Sequence, residues 1–288
     1  MRTVRTVAEV RELVRAERAA GRSIGLVPTM GALHDGHLSL LRQAGAACDV
    51  VVMSLFVNPT QFNEGADLDA YPRDEAADAQ AARSAGCAIL FAPDVKEVYP
   101  DGFCTTVEVA GPLTSTLEGA HRGPSHFHGV TTVVTKLLNM VQPDVAFFGQ
   151  KDAQQALVIR RLVRDLDMPV RIVVGDTVRE PDGLARSSRN VRLSGEDRAR
   201  ATGLSRALRA AEQAVVAGER DADAVAAAAR ATLTDFAVDP EYLAVVDPET
   251  LAPRTEIDGD VLVAVAARVG AVRLIDNVLI TTTPNGRG

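Results

Sequence analysis

Pro28-Thr29-Met30-Gly31-Ala32-Leu33-His34-Asp35-Gly36-His37 sits between an apolar run at residues 23–27 and a helical pattern at residues 37–48 marked by Leu38, Leu40, Leu41 and Ala44. The order strand, glycine-bearing turn, helix is the opening of a βαβ unit. Working outward, residues 50–57 are apolar except for Ser54 and read as a strand buried on both faces. An Ala-rich helix over 74–85 stops at Gly86, and a strand over 88–91 ends before Pro93. A short strand candidate follows at 105–109. Val130, Val133, Val134, Leu137, Leu138 and Val141 form a helical stripe over 129–141. A strand at 145–148, a helix at 152–167 and a strand at 170–174 complete the series. Strands alternating with helices predict an α/β fold, a Rossmann-like doubly wound parallel sheet.

The pattern changes after about residue 176. A polar loop at 180–190 precedes two long Ala/Arg-rich helices, 195–217 and 221–236, and strand-like runs at 242–246, 261–266 and 272–280. The expectation is two domains, residues 1–176 and a smaller α+β domain at 177–288 that covers the active site. The polar tail 281–288 reads as frayed.

Composition narrows the function. The chain has 288 residues, 47% hydrophobic and 24% charged, with a net charge of −7, no Trp and 4% aromatic residues. An acidic, aromatic-poor chain argues against a surface that coats nucleic acid. Cys48, Cys87 and Cys104 are odd in number and widely spaced, which fits a reducing compartment rather than a disulfide framework. No apolar run approaches the ~20 residues of a membrane span, and the N-terminal stretch shows no apolar signal region. The reading is a soluble, cytoplasmic protein without membrane contact.

All five histidines fall in two places: His34 and His37, then His121, His126 and His128. In an open α/β sheet, ligands bind at the carboxyl ends of strands. A helix N-terminus there favours an anion. Gly31 and Gly36 are expected to let a phosphate approach the backbone, with His34 and His37 donating from one side. The spacing is neither a P-loop nor a dinucleotide fingerprint. A zinc site is the rival reading, but its third ligand would have to come from the distant histidines. Phe147-Phe148-Gly149-Gln150-Lys151-Asp152 repeats the strand–Gly–helix arrangement. Of 31 Lys and Arg residues only Lys96, Lys136 and Lys151 are lysine. Arg186-Ser187-Ser188-Arg189-Asn190 offers two hydroxyls between two guanidiniums, a phosphate grip. Three such segments point to a nucleoside triphosphate. Gln61 and Gln155 are neutral amides suited to the hydroxyls and carboxylate of a small polar ligand, with Met30 and Phe62 as an apolar wall.

These blocks, with Phe56-Val57-Asn58-Pro59-Thr60-Gln61-Phe62 and Tyr71-Pro72-Arg73, occur in an order that resembles the pantoate–beta-alanine ligase family, over nearly the whole chain. That family is a nucleotidyltransferase type whose His-x-Gly-His-type motif is shared with class I aminoacyl-tRNA synthetases. His34-Asp35-Gly36-His37 resembles it here. The resemblance implies a ligase of pantothenate and coenzyme A biosynthesis: pantoate and ATP, with Mg²⁺, give a pantoyl adenylate and pyrophosphate, and beta-alanine then displaces AMP. It implies an ATP site of Met30, Gly31, Ala32, Leu33, His34, Asp35, Gly36 and His37, together with Gly149, Gln150, Lys151 and Asp152, completed by Val178, Arg186, Ser187, Ser188 and Arg189. Catalytic roles fall to His37, as proton donor, and to His34, Lys151 and Arg189. Gln61 and Gln155 would bind pantoate, with Asn58 close by, and a homodimer is implied. Two positions depart from the family: Gln150 and Asp35 stand where Glu is usual. Asp78 aligns with an acidic position that could serve a metal, but Ala76 and Ala77 before it carry no acid.

Overall fold

The apolar runs become strands wherever parallel neighbours can bury both of their faces. A computed structural model describes residues 1–62, 68–69 and 71–282; beyond residue 282 the tail lies outside them. The first unit holds β1 (Arg2–Val4), β2 (Ile24–Thr29), β3 (Val50–Leu55), β4 (Ile89–Phe91), β5 (Val145–Gly149) and β6 (Arg171–Gly175) in one parallel sheet, ordered β1-β4-β3-β2-β5-β6. Helices α1 (Val7–Ala19), α2 (Asp35–Ala47), α3 (Glu75–Ser84), α4 (Pro124–Val141) and α5 (Ala153–Asp165) connect them. Val51, Met53, Leu90 and Phe147 from the sheet are buried against Leu41, Ala44 and Ala82 from α2 and α3. Near-continuous burial along β3 is why it reads as an unbroken Val-rich run rather than an alternation.

Two compact units divide the chain: Met1–Gln150 with Gln154–Asp176, and Lys151–Ala153 with Thr177 onward. In the second, α6 (Gly195–Val216) and α7 (Ala222–Asp235) pack on an antiparallel sheet β7 (Pro240–Val246), β8 (Val261–Val269) and β9 (Val272–Ile280). Ala201, Ala207, Ala211 and Ala229 are fully buried there. The Ala-rich sequence is thus a helix-packing surface of small side chains.

Three details depart from the sequence reading. The amphipathic N-terminal stretch contains an edge strand, β1, and a helix closed by a capping box in which Thr6 and Glu9 satisfy each other's backbone N–H. Residues 105–109 form no strand; the Val107 N–H donates to Thr132 Oγ1 at 3.0 Å and its carbonyl accepts from Thr131. Helix hydroxyls take the backbone groups that a ladder would have used. Helix α4 begins at Pro124 rather than at residue 129. Among the described residues no helix is long and apolar enough to cross a membrane, and Cys48, Cys87 and Cys104 are free thiols.

One contact on α4 fixes the turn that follows β3. A Cβ on Gly129 would stand 2.4 Å from the Thr60 carbonyl oxygen and 2.7 Å from its carbon. Backbone cannot swing aside as a flexible side chain can. Gly129→Ala is expected to displace the turn at Pro59–Gln61 and to cost about 1–3 kcal/mol, read as a lower urea midpoint. A wild-type midpoint would show that the turn does not rest on α4.

Candidate active site

Sheet order locates the site. From β2 the chain winds one way through β3 and β4, and the other way through β5 and β6, so the order reverses between β2 and β5. Ligands of such sheets bind outside the carboxyl ends of the strands at this reversal. The segments that leave those two ends are the turn at residues 30–34 and the Gly149-Gln150 corner.

The turn after β2 is held by a carboxylate. Gly31 has φ +92° and Ala32 φ +52°, a left-handed pair that costs little for Gly and more for Ala. Asp78, 5% exposed on α3, repays the strain: its two oxygens accept the N–H groups of Ala32 at 3.0 Å and Leu33 at 2.8 Å. A Cβ on Gly31 would lie 2.8 Å from the Asp78 Oδ2. The next two links are imidazoles. His34 caps α2, its Nδ1 accepting the Gly36 N–H at 3.2 Å, while His37 Nδ1 accepts the His34 N–H at 3.3 Å. The rings sit 4.2 Å apart between centroids.

This corrects one expectation. The turn does not offer a row of free amides, because Ala32, Leu33, His34 and Gly36 all spend their N–H groups on side chains. A Cβ on Gly31 would meet Asp78 and one on Gly36 would lie 2.9 Å from the His34 ring, so both glycines leave room for those side chains. What the turn provides instead is fixed histidine polarity. With Nδ1 accepting, the proton of each neutral ring resides on Nε2, and both rings lie in the first turn of α2 where the helix dipole favours an anion.

The exit from β3 carries the second group. Asn58 is 1% exposed. Its Oδ1 accepts from Thr60 N–H (3.3 Å), Thr60 hydroxyl (2.9 Å) and Tyr99 hydroxyl (2.9 Å), and its Nδ2 donates to Gly129 O and Gln61 Oε1, both at 3.0 Å. Asn58 therefore has no bonding capacity left for a substrate, and its place beside Gln61 is that of a support. Gln61 is half-buried, and its Nε2 has no partner among the described residues. The adjacent glutamines of α5 divide in the same way. Gln154 is buried and saturated, donating to Leu113 O and Thr116 O and accepting from Glu118 N. Gln155 is half-buried with no side-chain bond among the described residues. Met30, Leu55, Phe56, Val57 and Pro59 line the apolar wall of a cavity of about 480 Å³ whose charged side is Arg73 with Asp69, Asp74, Glu75, Asp78 and Asp94; neither glutamine lines it.

The second unit gathers the remaining candidates. Val178 O accepts the Arg186 N–H at 2.9 Å, which brings two of them together across a hairpin. Ser187 caps the short turn Ser188–Arg192. Arg189 is exposed, and Arg186 lies 3.3 Å from Glu180. Lys151 has 17% of its side chain exposed, and the Asp152 carboxylate lies 3.8 Å from its ammonium. The Lys151 carbonyl accepts Asn277 Nδ2 at 3.0 Å. Asn277 N–H in turn bonds Asp276, which Arg179 grips at 2.6 and 3.1 Å. Burial pushes the Asp276 carboxyl up, against the opposing pull of that guanidinium. Asp276 and Asn277 carry no sequence signal beyond two polar residues in an apolar strand.

No group of three or more His, Cys, Asp or Glu suited to a metal ion occurs among the described residues, which removes support from the zinc reading. Both Asp78 oxygens are engaged with backbone, so its visible role is to shape the turn. Asp78→Asn sets an NH₂ group against a backbone N–H and is expected to cost about 1.5–3 kcal/mol, seen as a lower urea midpoint. An unchanged midpoint would show that the turn holds itself.

The pantoate-beta-alanine ligase family model matches residues 2–279. The chain is similar to the pantothenate synthetase of Moorella thermoacetica, 53% identical over 284 residues, which is 97% of this chain and 99% of that protein. The crystal structure of pantothenate synthetase from Thermus thermophilus aligns with a TM-score of 0.91 at 48% identity, over 96% of this chain and 99% of that one. That of pantoate-beta-alanine ligase from Francisella tularensis, complexed with beta-gamma ATP and beta-alanine, aligns with a TM-score of 0.77 at 33% identity, over 99% and 100%. A match of this reach takes in the His34–His37 turn, both glutamine sites and the Arg186–Arg189 loop alike: the chain belongs to the pantoate–beta-alanine ligase family.

Proposed function

We propose that the chain joins (R)-pantoate to beta-alanine through an enzyme-bound pantoyl adenylate, and that the His34–His37 pair acts on the phosphoryl group transferred. A pantoate carboxylate oxygen attacks the α-phosphorus of ATP. The new O–P bond forms as the bond to the β-phosphate breaks, and the electron pair leaves with pyrophosphate. An ionised carboxylate needs no general base, so the requirement is to stabilise charge spreading over phosphoryl oxygens. The observation that carries this reading is the fixed polarity of the two imidazoles, each accepting a backbone N–H at Nδ1 at a helix N-terminus. His37 is placed in α2 and His34 at its cap. Lys151 and Arg189 are assigned cationic roles toward ATP. Gly149, Gln150, Asp152, Val178, Arg186, Ser187 and Ser188 are assigned to its binding. Gln61 and Gln155 bind pantoate, with Met30 and Phe62 as apolar wall.

In the second step the unprotonated amine of beta-alanine attacks the acyl carbon. The C–N bond forms, the C–O bond to AMP breaks, and the amine proton is released. Positioning and exclusion of water govern this step. Mg²⁺ would come with the substrate as MgATP and would neutralise phosphate charge; no group of three or more His, Cys, Asp or Glu suited to a metal ion occurs among the described residues. The ATP and beta-alanine in the Francisella tularensis complex support this substrate pair. The reading extends to a cytoplasmic homodimer.

Pyrophosphate–ATP exchange that requires pantoate but not beta-alanine is the expected signature; absence of exchange above background would remove the adenylate. In single turnovers, His37→Ala is expected to lose about 10²–10³ in adenylation rate. Lys151→Ala is expected to lose about 2–4 kcal/mol of transition-state stabilisation. Lys151→Arg recovers little of it, because a guanidinium is a rigid fork where a compact ammonium is needed. An Arg variant within about threefold of wild type would show that charge alone suffices.

A further inference from the structure

Tyr99 lies 41 residues from Asn58 in sequence and carries no motif, yet its hydroxyl stands 2.9 Å from Asn58 Oδ1. The polarity of that contact follows from the backbone. Asn58 Nδ2 faces the Gly129 carbonyl at 3.0 Å, which can only accept. Asn58 Oδ1 faces the Thr60 N–H at 3.3 Å, which can only donate. The Asn58 amide is therefore fixed one way round, and the Tyr99 hydroxyl must donate to it. The same logic passes on. The Gln61 atom 3.0 Å from Asn58 Nδ2 must be its oxygen, so the Gln61 NH₂ group points away from Asn58 with two hydrogens to give. The Tyr99 ring is itself located by neighbours, Phe56 at 6.1 Å and Phe103 at 5.1 Å between centroids.

We propose that Tyr99 is a positioning residue: its hydroxyl, a further donor to Asn58 Oδ1, stiffens the backbone-oriented amide that holds Gln61 as a hydrogen-bond donor toward pantoate. The proposal rests on the assignment of Gln61 to pantoate made above. Pantoate offers a carboxylate and hydroxyl oxygens, all with lone pairs, so a ligand-facing donor selects for it. An acceptor in the same place would oppose its carboxylate. Gln61→Glu therefore does more harm than Gln61→Ala, since a carboxylate can accept from Asn58 but has nothing to give the ligand.

The test is a double-mutant cycle on Tyr99→Phe and Gln61→Ala, with Gln61→Glu alongside, read as the KM for pantoate and the KM for ATP. Tyr99→Phe removes one donor to a buried amide. It should raise the pantoate KM about three- to tenfold, the weight of one hydrogen bond, and leave the ATP KM in place. Gln61→Ala should raise the pantoate KM further. In the double variant the Tyr99 change should add nothing, because its effect passes wholly through Gln61. Gln61→Glu should exceed Gln61→Ala. If Tyr99→Phe leaves the pantoate KM alone while Gln61→Ala raises it, the positioning role is overturned and the pantoate assignment stands. Additive effects, or a Glu variant better than Ala, overturn it likewise. If Gln61→Ala itself does not move the pantoate KM, the pocket assignment fails and this role fails with it.

Discussion

The carboxylate of Asp78 on the N–H groups of Ala32 and Leu33 is the interaction on which the site depends. A chain leaving β2 must turn sharply to start α2, and it does so through two residues with positive φ. Two charge-assisted bonds from a buried acid on α3 secure that turn. Once it is set, His34 falls at the cap of α2 and His37 one turn in, and each ring binds the backbone of the other's neighbourhood. The sheet supplies the place, the acid supplies the turn, and the turn supplies the polarity of the imidazoles.

Much of this was legible in sequence because the relevant signals are local. The strand–turn–helix order at residues 23–48 and the Val-rich β3 follow from periodicity and burial. The two long Ala-rich helices of the second unit could be read because small residues at helical spacing have few other uses. The resemblance of the blocks around His34, Gln61, Lys151 and Arg186 then led to the family. What was not legible depends on contacts between segments remote in sequence. Asp78 reads as a possible metal ligand, and only its distance to Ala32 and Leu33 shows an acid consumed by backbone. Asn58 reads as a substrate contact, and only its five bonds show that none are left. Residues 105–109 have strand composition, but the hydroxyls of Thr131 and Thr132 were free to claim their backbone. Lys151 follows β5 in sequence yet goes with the second unit, its carbonyl held by Asn277.

A common design runs through the site. Polar side chains occur beside one another in supporting and facing roles: Gln154 saturated and Gln155 without a side-chain bond among the described residues, Asn58 saturated and Gln61 half satisfied. The saturated member fixes geometry because a buried amide with every bond made has one orientation. Where the two are bonded, as Asn58 Nδ2 is to Gln61 Oε1, the neighbour's amide is set one way round and has less freedom left to lose. Donors set in advance also suit a reaction whose barrier is mostly charge redistribution on phosphoryl oxygens.

The central claim is that the carboxylate of pantoate attacks the α-phosphorus. The most direct measurement is a single turnover with pantoate labelled with ¹⁸O in both carboxylate oxygens, unlabelled ATP and beta-alanine, followed by mass analysis of the products. The account predicts one ¹⁸O in the phosphate of AMP and one in the amide carbonyl of the product. Unlabelled AMP, with ¹⁸O recovered in pyrophosphate or in inorganic phosphate, would contradict it.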